Sequence, residues 1–372
     1  MAKVDLDYIS SAIEDLVAAL GIRDHVDYAA LTMMLLPDSV GKCVEAIAGQ
    51  LGLPIRVDLS YVPAGWQPPG SGGSGNAFES SSLAHTTATG RGAEGITAQV
   101  CCPASLPLYG SSKLNGMVIQ VKVTENCVAH PQTFVAIIAH ELCHILLRSL
   151  AHPQSDNEIY TDLAAMVLGF SNVIHEGRKL VSQTHRGNWV ETQTTTFGYL
   201  DDEQFDFALS RVDALLTDCR GLKNKVMALS ERLLGDCQEG GRMSARFGEA
   251  LAYLDSHQER RIKKHDAVLL VGFHRPGYTE PTEAALRECR QVAEEASRAV
   301  RTISSYTQGV VASLRRSLER LTSSSEELAA HLVRLRADCK VVERNIGFLA
   351  RLRLRKERKK REASSRKGSP QH

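Results

Sequence analysis

The chain of 372 residues is 43% hydrophobic and 23% charged, with a formal net charge of +1. That is enough apolar content to bury a full core, in two domains. No apolar run reaches the length of a transmembrane helix, and Asp5 and Asp7 precede a helical pattern where a signal peptide would be basic and then apolar, so a cytoplasmic address is expected. Nine cysteines, an odd number with no CxxC pair, argue for reduced thiols over a disulfide framework.

Residues 1–53 carry helical periodicity, with Ile9, Ile13, Leu16, Val17 and Leu20 ahead of Gly21, and predict a small helical cap. Three segments with apolar residues at alternate positions, 55–62, 96–102 and 117–123, predict strands. Between the first two, the chain is rich in Gly, Ser, Thr and Pro and includes Pro68-Pro69-Gly70-Ser71-Gly72-Gly73-Ser74-Gly75. That composition predicts a flexible surface insertion over 63–95.

The next segment carries the chemistry. His140-Glu141-Leu142-Cys143-His144 is an HExxH inside an apolar stretch, and Pro131 suits the first position of its helix. Residues four apart share one helix face, so His140 and His144 can offer two imidazole nitrogens to one ion. Glu141 falls on the adjacent flank, placed to take a proton from a metal-bound water. A catalytic zinc needs a third protein ligand. The extended form of the motif would put Gly at 147 and His at 150, and the chain has Leu147 and Leu150 there. Downstream, Asn157 caps a predicted second helix that starts at Glu158 and runs through Leu168, with Glu158 and Asp162 stacked four apart. Either carboxylate could complete the coordination sphere. The competing structural reading is a hydrogen-bonded polar stripe without any metal.

These two helices resemble the gluzincin branch of the HExxH zinc metallopeptidases, whose first helix carries HExxH and whose second carries ExxxD. The resemblance covers roughly residues 117–170. It implies that Glu158 is the third metal ligand beside His140 and His144, that Asp162 is the partner of a ligating histidine, and that the cofactor is Zn2+. It also implies an α+β zincin-like catalytic domain in which a sheet edge lines the cleft, and 117–123 is the candidate for that edge strand. Hydrolases of this kind hold the developing oxyanion with a Tyr or His. Tyr199, Tyr160, His175 and His185 are available, and nothing in the spacing singles one out. Cys101-Cys102 could in principle supply a thiolate that blocks the zinc.

Residues 189–197 predict a strand, and Asp201 with Gln204 forms a capping-box start for a long helix. From 203 onward the pattern turns helical. Leu314, Leu318, Leu321, Ser325, Leu328, Leu332, Leu335, Cys339, Val342, Ile346 and Leu349 alternate in steps of four and three, a heptad seam. Residues 203–350 are therefore expected to form a coiled coil, either folded back on itself or joining a second copy or a protein partner. Residues 351–367 hold ten Lys and Arg against two Glu, a net of +8, so the rest of the chain sums to −7. This tail is expected to be solvated; nucleic acid or an anionic surface are its candidate partners, although no aromatic residues interleave to stack on bases.

The expected organisation is a zincin-like metallopeptidase domain over 1–200, an all-α coiled-coil domain over 201–350 and a basic tail over 351–372. The expected function is zinc-dependent hydrolysis of peptide bonds in a peptide or protein substrate. The alternative is a non-catalytic scaffold or interaction protein built on a zincin-like fold.

Overall fold

The structure is a computed structural model that describes residues 5–63, 66, 77–81, 84–86, 98–103, 105–186, 189–257, 264–346 and 356. Helices predominate, with small sheets between them. The chain packs as two compact units, one made of 1–219 with 304–310, the other of 220–303 with 311–372. Among the described residues no helix is long and apolar enough to cross a membrane.

The first unit opens with three helices, α1 (Leu6–Leu20), α2 (Tyr28–Met33) and α3 (Val40–Leu51). Asp5 starts α1 by accepting from the amide of Asp7, and Ile9, Ala12, Ile13 and Leu16 recur at helical spacing on its buried face. A two-residue strand β1 (Ile22–Arg23) follows α1 and pairs with β9 (Ser305–Tyr306), so a segment from late in the chain returns to this unit.

The main sheet has the order β2-β6-β5-β3. Its strands are β2 (Arg56–Val62), β3 (Ala77–Ser81), β5 (Ala98–Pro103) and β6 (Val118–Thr124). β2 runs parallel to β6, and β5 runs antiparallel to both β6 and β3. Ile119, Val121 and Val123 of β6 are buried and Val118 is exposed, as a strand with one covered face requires. This topology corrects the expectation that 117–123 is a sheet edge. β6 pairs on both sides, Val121 opposite Leu59 and Val100, so its main chain has no free side for an added peptide. A second sheet, ordered β4-β8-β7, joins β4 (Ala84–Thr86), β7 (Lys179–Arg186) and β8 (Trp189–Phe197). Two segments of the Gly/Ser-rich span, β3 and β4, are thus paired strands, whereas residues 67–76 lie outside the described residues.

Helix α4 (Pro131–Ser149) lies in the core of this unit, packed by α3, by α5 (Glu158–Ala165), by α6 (Ser171–Gly177) and by β5. Sixteen of its nineteen residues are buried, the condition of a helix that is apolar all round. α5 is shorter than the expected run to Leu168. At Met166–Phe170 the helix widens into a π turn, with Gly169 at φ +98°. A Cβ at Gly169 would come within 2.4 Å of the Asp24 carbonyl, so only glycine fits this closely approached, left-handed position.

The second unit is helical. Its helices are the later part of α7 (Asp202–His257), then α8 (Lys264–Phe273), α9 (Glu280–Arg301) and α10 (Gln308–Arg344). At the start of α7 the capping box forms as read: the Asp201 amide donates to Gln204 Oε1 at 2.9 Å and the Gln204 amide to Asp201 Oδ1 at 2.8 Å. Arg336 of α10 bonds Glu239 of α7, and Cys339 Sγ contacts the Met243 carbonyl, a register that makes α7 and α10 parallel. α9 runs the other way, since Ser244 reaches Glu283 whereas a Cβ at Gly240 would meet Leu286. The seam residues Leu314, Leu321, Leu328, Leu335, Cys339, Val342 and Ile346 are buried within the single chain, the last four in one cluster with Phe247, Leu254 and Phe273. Leu349 lies outside the described residues.

Candidate metal centre

The site forms where α4 meets the start of α5. His140, Glu141 and His144 ride into the core on α4, at 5%, 0% and 0% exposure. Burying three ionisable groups on one helix is costly unless each is paired or bound. Asn157 ends the preceding turn and caps α5 by accepting from the Ile159 amide, which sets Glu158 at the first helical position, facing α4.

His140 Nε2 stands 3.2 Å and His144 Nε2 3.1 Å from the same oxygen, Glu158 Oε2. Among the described residues these three side chains form the one cluster of His, Cys and carboxylate donors that could hold a metal, with ligand atoms all within 4.8 Å of one another. The spacing passes a simple test. Ligands about 2.0–2.1 Å from a tetrahedral zinc stand about 3.3–3.4 Å apart, so a small outward shift of the Glu158 carboxylate brings both of its contacts to coordination spacing.

The outer nitrogens are held as well. His140 Nδ1 lies 2.7 Å from Asp162 Oδ1, and the other Asp162 oxygen accepts from the Tyr199 amide at 2.6 Å. His144 Nδ1 lies 3.3 Å from Thr161 Oγ1 and 3.4 Å from the Ser155 carbonyl. Each imidazole is therefore oriented through Nδ1 and presents Nε2 to the centre, the arrangement that fixes tautomer and ring direction in metal sites. Gly198, at φ +94°, brings the chain past this point. A Cβ there would sit 3.1 Å from Asp162 Oδ2.

The electrostatics follow from burial and pairing. Burial alone would lower the pKa of His140, but the Asp162 carboxylate, by charge and hydrogen bond, with Glu158 and Glu141 behind it, raises it to about 10. Burial would raise Glu158, and hydrogen bonds from both histidines hold it down at about 2. His140, Glu158 and Asp162 thus form a charged, hydrogen-bonded network. The His140 share of its stability is full below the ordinary histidine pKa and fades as pH rises toward 10; the Glu158 share is full above the ordinary carboxylate pKa and fades as pH falls toward 2. A cation that replaces the shared proton satisfies the same acceptors.

His140, His144, Glu158 and Asp162 therefore come together, and Glu141 is buried beside them with its charge acting on His140. Of the four candidate oxyanion holders, Tyr199 reaches the centre: its ring stacks on His140, centroids 5.7 Å apart and planes 18° off parallel. Tyr160 packs against Tyr8 and His152, and His175 stacks on Phe205; the side chain of His185 lies outside the described residues. Cys101 does not join the cluster. Cys143 is fully buried, and burial pushes its thiol well above the ordinary range, so it is inert core.

Two features escaped the sequence reading. Thr161 supports His144 from the position before Asp162, where the only hint is a hydroxyl one step off the ExxxD register. Arg178, nearly buried, lies with Ile137, Ile174, Phe197 and Tyr199 around a cavity of about 30 Å³ beside His140 and Asp162, room for about two waters. Its guanidinium donates to the Leu200 carbonyl and lies over the Phe205 ring. No local pattern predicts that placement. Models of known families, curated proteins and solved structures, each compared with the chain, give no match.

Proposed function

We propose that this protein is a zinc-dependent hydrolase of peptide bonds, with a gluzincin-like centre in an α+β zincin-like domain. The observation that carries the reading is the convergence of two Nε2 atoms and one carboxylate oxygen, with Asp162 on the far nitrogen of His140.

His140, His144 and Glu158 would hold the metal. Zinc in such a site supplies Lewis acidity, lowering the pKa of a coordinated water toward neutrality and polarising a carbonyl. Two imidazoles and a carboxylate suit zinc, and manganese, iron or cobalt can use the same donors. The chain's own residues do the rest. Glu141, fully buried next to the ligands, is the general base and then the acid: its carboxylate accepts a proton from water and passes it to the leaving amine. Asp162 and Thr161 keep the histidine rings oriented, and Tyr199 covers one face of His140.

Metal content of the purified chain and turnover of Glu141→Gln test this reading together. About one zinc per chain is expected in both proteins, with turnover lost by about a hundredfold or more in the variant. A variant that cleaves as fast as the parent would refute the assignment of Glu141. A chain that takes up no metal at neutral pH would return the function to the scaffold alternative.

A further inference from the structure

Arg178 is 4% exposed, and a charged group taken out of water is costly unless its hydrogen-bonding atoms are met. Its partners account for only part of the guanidinium. Nη2 donates to the Leu200 carbonyl at 2.8 Å and stands 3.4 Å from Asp202 Oδ1, and the Phe205 ring covers one face. The donors on Nε and Nη1, which lie in the plane of the group, find no acceptor among the described residues. Arg178 also lines the cavity of about 30 Å³ beside His140, and a guest in that cavity can meet them.

The rest of the wall sets what can enter. Ala136 and Ile137 of α4, Ile174 of α6 and Phe197 of β8 make it largely apolar, and Ile174, Gly198 and Tyr199 are half-exposed, so the cavity has a rim at the surface. Charge decides against an acid. Asp162 lines the same cavity, and the carboxylates of Asp202, Asp162, Asp206 and Asp201 already act on Arg178, so a further carboxylate would meet like charge. Size decides against a long side chain. Room for about two waters matches a β-carbon carrying a hydroxyl and is too little for a leucine or an aromatic ring.

We propose that this cavity is a side-chain pocket for a serine or threonine of the substrate, with Arg178 donating to the hydroxyl oxygen as the specificity-determining residue. The hydroxyl is a neutral acceptor, and the carbon that carries it suits the apolar wall. A site built to bond a hydroxyl rejects the residue that lacks one, because its buried donor is then left unmet. The assignment rests on the peptide-bond hydrolysis proposed above: His140, one of the metal-holding residues, lines the same cavity, so the selected side chain belongs to a residue beside the bond that is cut.

Calorimetric titration of the Glu141→Gln chain, in the presence of zinc, with the peptides acetyl-Ala-Ala-Xaa-Ala-Ala-amide measures the selection without turnover; Xaa is Ser, Ala, Asp or Leu. The serine peptide is expected to bind about tenfold more tightly than the alanine peptide, as one hydrogen bond to a charged donor implies, and to exceed the aspartate and leucine peptides by more. Adding Arg178→Met should bring serine down to alanine, with circular dichroism to check the fold. Adding Ile174→Ala instead enlarges the cavity at its half-exposed rim, and the leucine peptide should gain about tenfold. Equal binding of serine and alanine peptides, a preference for aspartate, no gain for leucine in the enlarged cavity, or no binding of any peptide would each overturn the proposal. Turnover by the parent separates the two readings. Cutting of all four peptides at equal rates would keep the hydrolase and remove the pocket, whereas serine-selective binding without any cutting would keep the pocket and remove the hydrolase.

Discussion

The ring of His140 is gripped at both nitrogens, by Asp162 at Nδ1 and by the Glu158 carboxylate at Nε2. Removing the Asp162 charge while keeping its shape separates the two grips. Asp162→Asn should leave the ligand set intact and weaken zinc binding about 10–100-fold, because the amide no longer anchors the tautomer; competition with a chromogenic chelator reads this directly. An unchanged affinity would mean that Asp162 only braces the Tyr199 amide. A second residue-scale expectation concerns pH. Tyr278 donates to Asp338 Oδ2 at 3.0 Å, and burial, then the hydrogen bond and charge of Asp338, push its phenol up to about 12. A phenol with a raised folded-state pKa stabilises the fold fully below its unfolded value, about 10, and loses that contribution as pH climbs to about 12. Urea unfolding across that window should show a fall in the parent that Tyr278→Phe lacks.

At the scale of elements, α4 and α10 show two ways in which a pattern becomes packing. The apolar stretch around the motif predicts a buried helix, and α4 is covered on the motif face too, since α5 packs against it. In α10 the seam is buried unevenly: Leu314, Leu321, Leu328, Leu335 and Val342, seven apart, are buried, and Leu318 and Leu332 are half-buried. Leu328→Ala should therefore cost about 2–5 kcal/mol in denaturant unfolding, and Val333→Ala, on the exposed side, less than about 0.5 kcal/mol. Similar losses at the two positions would mean that α10 is packed on both faces, as in an assembly of copies. The capping box at Asp201 and Gln204, the Asn157 cap and Pro131 at the head of α4 were legible because each is a bond or a φ restriction within one turn of chain. The end of α5 was not: at the π turn Met166–Phe170 the chain packs at Gly169 against the Asp24 carbonyl and bonds the Val26 amide, neighbours more than a hundred residues away in sequence.

For the whole molecule, His140, His144, Glu158 and Asp162 all lie in the first compact unit. Metal binding should consequently stabilise that unit by mass action, by about 2.7 kcal/mol when free zinc is a hundred times its dissociation constant. Hydrogen exchange with and without chelator should show protection lost in α4 and α5 and retained in α9 and in α10 beyond Val311; a uniform loss would mean that the two units open together. What the sequence by itself determined is what depends on spacing along one chain: two histidines on one helix face, a carboxylate pair four apart on the next helix, the heptad seam and the basic end. Tertiary structure alone decided that Glu158 Oε2 meets both imidazoles, that Tyr199 and Arg178 stand beside His140, that β6 is an inner strand and that the seam closes within one chain. Helical and strand periods are local geometry, repeated every few residues, so they leave a trace in sequence. Strand order and the meeting of two helices are set by which surfaces exclude water together, a property of the folded whole that no short window contains.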